Sequence, residues 1–298
     1  MKCIKCDRDN NLKERTEYKG LCAQCKHPIV FDPKIHPVPL TDIGVKRAIE
    51  LISVNHTLQF TEKQLYYFLN NRLHQSERQN TRGFLIAIGV IFSLLSVILL
   101  ALGLNSLPFL TGFLGFLLFS SLATIIFIFS SHRLRKRFGI RTPNKTEKFS
   151  LDTFSALFHR WQKVNGPVKG LLPPTPLTLP PVTLSQEVTQ YSFDRLIVTD
   201  RAAIAELLIS NNFHFENNCA VLSIDRYPFN LFDTVMGMVR RNPDLKVFTL
   251  HDCSPTGVTL AHRVRTDPAW FAGQNARVYD LGLLPRQIQE RSVFISNS

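Results

Sequence analysis

Charged residues are missing from two long stretches of this sequence. Residues 83–104 read GFLIAIGVIFSLLSVILLALGL and residues 108–130 read PFLTGFLGFLLFSSLATIIFIFS, with no Asp, Glu, Lys or Arg in either. Helices buried inside soluble proteins rarely stay uncharged on every side over such a length. Each stretch can cross ~30 Å of hydrocarbon as a helix. The short NSLP connection predicts that residues 83–131 form a two-helix transmembrane hairpin.

The sequence also lacks a secretory signal. No apolar run precedes the first span, and that span has no small-residue cleavage site, which excludes a cleaved signal peptide. Basic residues flank the hairpin on both sides: Arg72, Arg78 and Arg82 before it, and HRLRKRFGIR at 132–141 after it. Basic flanks face the cytoplasm. We therefore expect a multi-pass membrane protein with both termini in the cytoplasm.

Acidic residues are few relative to basic ones. The chain has 35 Lys and Arg against 23 Asp and Glu, a formal net charge of +12. Such an excess suggests binding to nucleic acid or to anionic lipid. Much of it lies beside the two spans, where membrane topology alone would place it. The composition thus leaves the bilayer, nucleic acid and a cytoplasmic protein open as partners.

Cysteines are concentrated at the start of the chain. Four of the six lie in the motifs CIKC and CAQC, at Cys3, Cys6, Cys22 and Cys25. Two Cys-x-x-Cys pairs at this separation are typical of a tetrahedral zinc site. Two disulfides are the alternative, which a reducing cytosol disfavours. Four sulfurs leave no open coordination position, so we expect a structural zinc ribbon over residues 1–36, a class that binds nucleic acid, protein or neither.

Residues 37–82 form the next predicted module, made of two short helices. Thr41 and Asp42 can cap the first helix, and Thr61 can cap the second. The pair is compatible with half of a helix-turn-helix or, alternatively, with a small packing module.

A basic juxtamembrane segment and an amphipathic helix occupy residues 132–165. Ser150 can cap this helix, whose apolar residues Leu151, Phe154, Phe158 and Trp161 share one face. That face either rests in the membrane interface or packs against the next domain. Residues 166–190 contain six prolines and predict an extended domain linker.

Residues 191–298 alternate apolar strands with helices. RLIVTD, CAVLSID, KVFTLHD and ARVYDLGL are the predicted strands. This rhythm is typical of a parallel sheet covered by helices on both faces, a Rossmann-like α/β domain. No glycine-rich phosphate loop follows the first strand, which argues against a dinucleotide site. A Rossmann-like nucleotide-binding module of another kind stays open.

Three of the predicted strands end on an aspartate: Asp200, Asp225 and Asp252. Ligands of open parallel sheets collect beyond the carboxyl ends of the strands, so these acids could converge on a metal or a polar ligand. Alternatively, Asp200 and Asp252 cap the helices that follow them. His251 and Cys253 flank Asp252, but adjacent strand residues point to opposite faces, which argues against a shared metal site. We expect Cys253 to be a small apolar residue and His251 a packed or capping histidine.

Several motifs resemble one family. HDCSPTGVTLAHRV at 251–264 looks like the acidic Asp-x-Asp-Pro-x-Gly turn of Toprim domains, in particular that of the type IIB topoisomerase A subunit. LIVTDRAAIAELL at 196–208 resembles the first strand and helix of that family, and SIDRYPFNLFDTVMGMV at 223–239 resembles its second strand. TEKQLYY at 61–67 is similar to the helix that carries the family's attacking tyrosine. The matches cover about a third of the chain.

The resemblance implies a tyrosine nucleophile and magnesium. Tyr66 or Tyr67 would attack a phosphodiester, and Lys63 stands where the family has an arginine. Lysine keeps the charge but loses the bidentate fork.

The resemblance also implies roles for the acidic residues. Asp200 takes the place of the family's glutamate, and Asp252 that of its first magnesium-binding aspartate. Ser254 replaces the second aspartate and is a weaker magnesium ligand. With Ser254, Asp225 is the further candidate for holding a cofactor. The prediction is a Toprim-like domain that has lost its chemistry and acts as a nucleic-acid- or protein-binding scaffold. A Mg²⁺-dependent nucleic-acid phosphoryl-transfer enzyme is the alternative.

Overall fold

The structure is a computed structural model that describes most of the chain outside the hairpin and the proline-rich segment. The residues it describes are 1–75, 147–173, 193–242, 244–274 and 276–289, with the single positions Ile91 and Gly115.

The chain divides into two compact units. The first comprises Met1–Leu69 and Lys148–Ile288, and the second comprises Asn70–Glu147 and Gln289–Ser298. The two predicted spans belong to the second unit and lie outside the described residues, apart from Ile91 and Gly115. Of the helices formed by described residues, none is long and apolar enough to cross a membrane. The transmembrane hairpin stays a prediction.

Two similar knuckles form the start of the first unit. They are closed by isolated antiparallel bridges, Lys2 with Asp9 and Leu21 with Pro28. A short helix, α1 (Leu12–Glu17), joins them. Asn11 and Glu14 form a capping box at its first turn, since each side chain accepts the other residue's backbone N–H. The knuckles and α1 form a compact N-terminal ribbon.

The two predicted helices of the next module are confirmed. α2 spans Asp42–Ile52 and begins at Thr41, whose side chain accepts the Gly44 N–H at 3.1 Å. α3 covers residues 62–75. At its start, Thr61 Oγ1 accepts the Gln64 N–H at 3.3 Å, and Gln64 Oε1 accepts the Thr61 N–H at 2.9 Å. Capping side chains therefore fix where both helices begin.

Asp42 ties the ribbon to α2. Its buried carboxylate accepts the consecutive N–H groups of Val30 and Phe31, each at 3.0 Å. Burial raises the pKa of Asp42 above its usual value, although these two hydrogen bonds oppose the shift. The carboxylate satisfies backbone donors that would otherwise be buried without partners.

The amphipathic helix predicted before the proline-rich segment is α4 (Leu151–Asn165), and Ser150 caps it. Phe154 and Phe158 are fully buried, and their rings stack 5.4 Å apart. Trp161 continues the stack at 6.1 Å from Phe158. The apolar face therefore packs inside the protein, which decides between the two alternatives for this helix.

The C-terminal part is an α/β domain with four parallel strands, as the sequence predicts. Their order in the sheet is β2-β1-β3-β4. The strands are β1 (Arg195–Thr199), β2 (Cys219–Ser223), β3 (Lys246–Leu250) and β4 (Arg277–Asp280). The helices are α5 (Ala202–Ser210), α6 (Phe213–Glu216), α7 (Phe229–Arg241), α8 (Pro255–Val258), α9 (Leu260–Thr266) and α10 (Pro285–Gln289).

Apolar residues cover the two faces of the sheet unequally. On one face Leu196, Leu222 and Val247 pack against α7, α9 and the fully buried Trp270. On the other face a smaller cluster centres on Ala205 of α5, packed against β1 and β2. Alternate strand residues point to opposite faces, so β1 and β2 contribute to both clusters, while β3 and β4 contribute to the larger one.

The helical module and the α/β domain are joined by direct hydrogen bonds within the first unit. Asn211, just after α5, accepts the Gln59 N–H at 2.7 Å and donates to the Gln59 carbonyl at 3.1 Å. Phe60 pairs with the start of the predicted linker, because its N–H donates to Gly170 and its carbonyl accepts from Leu172. Residues 174–190 of the proline-rich segment lie outside the described residues.

Candidate functional site

Four cysteine sulfurs converge between the two knuckles. The Sγ atoms of Cys3, Cys6, Cys22 and Cys25 all lie within 4.8 Å of one another, and all four thiols are free. Cys3 Sγ is 3.6 Å from Cys25 Sγ, and Cys6 Sγ is 3.6 Å from Cys22 Sγ. Sulfurs bound ~2.3 Å from a tetrahedral zinc would be separated by about the same distance. The cluster can hold a metal ion such as zinc, as the sequence predicts.

The knuckles repeat one backbone pattern. The Cys3 N–H donates to the Arg8 carbonyl, and the Cys22 N–H donates to the His27 carbonyl, both at 2.9 Å. Asp7 and Lys26 both have φ of 56° at equivalent positions. Each knuckle therefore orients its two sulfurs in the same way, and the two pairs of sulfurs face each other.

The thiols of Cys3 and Cys22 lie in different environments, and their pKa values differ accordingly. Burial raises the pKa of Cys3 to about 12. Burial also acts on Cys22, but backbone donors at Cys25 and Gln24 and the Asn10 amide outweigh it and lower the pKa to about 6. Asn10 is itself buried and donates to Cys22 Sγ at 3.6 Å. Sequence reasoning missed Asn10, because a single asparagine outside the motif carries no signal.

The acidic edge of the sheet is the second cluster, and the strand order brings it together. Since β1 and β3 are neighbours, Asp200 and Asp252 follow adjacent strands at the point where the connections diverge. The Asp252 N–H donates to Asp200 Oδ2 at 3.3 Å. Two of the predicted acids therefore converge.

Arg201 lies between these acids and was not predicted. Its guanidinium donates to the carboxylate of Asp252, and its Nε lies 3.8 Å from Asp200 Oδ2. The Asp200 side chain is 12% exposed and that of Asp252 41%, so the cluster is open to solvent on one side. The Arg201 side chain, which is 57% exposed, thus contacts both carboxylates with its guanidinium.

The turn after Asp252 keeps a specific shape. Asp252 Oδ1 accepts the Ser254 N–H at 2.8 Å, and Ser254 Oγ accepts the Gly257 N–H at 3.1 Å as the cap of α8. A Cβ on Gly257 would lie 2.5 Å from the Asp252 carbonyl oxygen, so only glycine fits. The helix caps are therefore Ser254 for α8 and the backbone of Arg201 for α5, rather than Asp252 and Asp200.

The charge of Asp252 is stabilised by its surroundings. Burial alone would raise its pKa, but hydrogen bonds from Ser254, the positive charge of Arg201 and the neighbouring His251 imidazole hold the pKa below its usual value. His251 is buried, and its Nε2 lies 2.9 Å from Asp280 Oδ1 at the end of β4. The expectation of a packed histidine is confirmed.

The remaining predicted site residues lie apart from this edge. Asp225 follows the outer strand β2 and is exposed. Tyr66 is fully buried in the aromatic cluster of the helical module and donates its hydroxyl to the Phe149 carbonyl at 2.7 Å. A phosphodiester cannot reach that oxygen in this conformation. Tyr67 packs edge-on against Tyr66 and is partly exposed, so its role as a nucleophile stays a prediction.

Comparison with protein-family models, with curated proteins and with solved structures finds no match for this chain.

Proposed function

We propose that this chain is a membrane-anchored binding protein. It displays a zinc ribbon and a Toprim-like domain on the cytoplasmic side and binds a nucleic acid or a protein without chemical turnover. Anchoring is supported by the two uncharged stretches at 83–104 and 108–130. Structural zinc is supported by four mutually close sulfurs with no open position. The Toprim-like assignment rests on the sequence motifs and is compatible with the parallel sheet.

The position of Arg201 is the main support for the proposal that the protein does not catalyse a reaction. Mg²⁺ in proteins is usually held by one or two carboxylates and completes its octahedral shell of six oxygens with water and substrate. At this edge the two carboxylates already share a guanidinium, and Ser254 Oγ is used as a helix cap. A magnesium ion would therefore have to displace the guanidinium from both carboxylates. The arginine supplies the positive charge that a metal would otherwise bring.

The experiment uses the full chain with labelled DNA and RNA, in EDTA and in Mg²⁺. We expect binding that is independent of Mg²⁺, no cleavage and no covalent adduct. A steep fall of affinity with salt would identify the partner as nucleic acid, because phosphate contacts release counterions. Asp252→Ala should leave the binding intact. Loss of all binding on that single change would contradict the scaffold.

A magnesium-dependent phosphoryl-transfer enzyme is the second candidate, and one observation favours it. Asp200 and Asp252 do converge at the edge where an active Toprim site would lie. This candidate requires Arg201 to leave the carboxylates and Tyr67 to reach a phosphate. A protein–DNA adduct formed in Mg²⁺ and lost in Tyr67→Phe would establish it.

A further inference from the structure

A cleft of about 570 Å³ lies in the first unit beside the cysteine cluster, because Ile4 and Lys5 of the first knuckle and His27 of the second line it. The ribbon, α2, the loop after α2 and the end of α4 contribute its walls. Its size falls within the range of small-molecule sites. No motif in the sequence indicates it, because its walls come from segments far apart in the chain.

The cleft combines positive charge with apolar surface. Three lysines and one glutamate line it, Lys5, Lys46, Lys169 and Glu50, which leaves an excess of two positive charges. Within the described residues, none of these lysines takes part in an ion pair. Unpaired lysines around a concave surface attract an anion, and lysine is a common phosphate ligand.

Trp161 supplies the second, independent observation. It lines the cleft and is 6% exposed, yet its Nε1–H has no hydrogen-bond acceptor among the described residues. Buried donors are nearly always paired, so an unpaired one calls for an explanation. Nε1 itself is enclosed, so an acceptor on a bound ligand would reach this donor only after the indole turns toward the cleft. Ile49 and Val164 lie in the same wall and offer apolar contact.

Neighbouring contacts hold this wall in place. His27 Nε2 lies 3.0 Å from Asn165 Oδ1, and Asn165 Nδ2 donates to the Trp161 carbonyl at 3.0 Å. The knuckle that carries Cys22 and Cys25 is thereby connected to the end of α4. In the loop after α2, Val54, Asn55 and His56 all adopt positive φ, and His56 lines the cleft.

We propose that this cleft binds a phosphate monoester attached to an apolar or aromatic body. The monoester carries a charge of about −2 at neutral pH, which matches the excess of two positive charges. The body would lie against Trp161, Ile49 and Val164, and an acceptor on the ligand would pair with Trp161 Nε1–H once the indole has turned toward the cleft. This site is independent of the acidic edge and of the proposed scaffold function.

The test compares four probes on the full chain by calorimetry and tryptophan emission. AMP carries the monoester on an aromatic body and dihexanoyl phosphatidic acid carries it on an acyl body, which distinguishes a nucleotide from a lipid source. Adenosine lacks the phosphate, and inorganic phosphate lacks the body. We expect one of the two monoesters to bind saturably, with adenosine and inorganic phosphate at least about tenfold weaker.

Substitutions at the cleft test whether the monoester binds there. Lys46→Met and Lys169→Met should each weaken it by about tenfold, while Lys34→Met, an equal charge change at an exposed position outside the cleft, should leave it unchanged. The chain has two tryptophans, and Trp270 is buried in the α/β core. Trp161→Phe should therefore abolish the emission change and weaken binding.

Three results would overturn the proposal. The first is the absence of saturable binding of either monoester up to about 10 mM. The second is binding that Lys46→Met and Lys169→Met do not weaken. The third is an emission change that persists in Trp161→Phe, because that change would arise at Trp270.

Discussion

The guanidinium of Arg201 donates a hydrogen bond to the carboxylate of Asp252, across the gap between two neighbouring parallel strands. Arg201 follows β1, and Asp252 follows β3. The contact places a permanent positive charge of the protein at the edge of the sheet where ligands of such folds bind. The proposed absence of metal chemistry depends on this pair.

Arg201 helps to make Asp252 a stronger acid. The folded pKa of Asp252 lies below its unfolded value, so its contribution to stability is present above the unfolded pKa of ~3.9 and is lost as pH falls through the folded pKa. Arg201→Gln should raise the folded pKa of Asp252 toward its usual value. The contribution of Asp252 to the free energy of unfolding should then be smaller. Carbon-13 NMR titration of Asp252 measures the shift directly. Arg263→Gln, at an exposed position on α9, is the control and should leave the titration unchanged.

Gly257 should not tolerate a side chain. Gly257→Ala places a methyl group 2.5 Å from the Asp252 carbonyl and should cost about 1–3 kcal/mol of unfolding free energy, because the backbone of the turn must move. Gly237→Ala is the matched control. It lies within α7 with nothing within 4 Å of the added methyl, so it should stabilise by about 0.5–1 kcal/mol. Urea unfolding measures both, and equal effects would contradict the close approach at Gly257.

The cysteine cluster should bind roughly one equivalent of zinc per chain, held by four thiolates. Cys22→Ser should abolish stoichiometric zinc and unfold the ribbon, because structural metal sites couple binding to folding. Metal analysis after dialysis measures the content. Cys253→Ser, outside the cluster, should keep the metal. Zinc retained in Cys22→Ser would show that the four sulfurs are not the site.

Tyr66 should behave as a core residue. Tyr66→Phe removes the donor to the buried Phe149 carbonyl and should cost about 1–2 kcal/mol in urea unfolding. Tyr279→Phe, at a 44% exposed residue, should change stability little. If Tyr66→Phe left stability unchanged but abolished a DNA adduct, the hydroxyl would be a nucleophile after all.

Local patterns in the sequence predict much of this structure. The spacing of Cys3, Cys6, Cys22 and Cys25 is local, and so is the tetrahedral geometry it implies. The caps at Thr41 and Ser150 and the four apolar strands are likewise short-range signals. Such features can be recognised because each depends on neighbouring residues alone.

Long-range arrangement accounts for what the sequence does not predict. Three strands end on aspartate, but only the order β2-β1-β3-β4 makes Asp200 and Asp252 neighbours and leaves Asp225 at the outer strand. Arg201 follows no motif, and its contact with Asp252 requires the fold. The sequence correctly predicts Trp161 on an apolar helix face. That its N–H has no acceptor among the described residues can be seen only in the folded structure.

The central claim is that Arg201 takes the place of a metal between Asp200 and Asp252. The most direct measurement is calorimetric titration of the full chain with Mg²⁺, in parallel with Asp252→Asn. We expect no saturable binding up to about 10 mM in either protein, because the guanidinium of Arg201 contacts both carboxylates and offsets one of their two negative charges. Saturable Mg²⁺ binding by the unaltered chain that disappears in Asp252→Asn would contradict it.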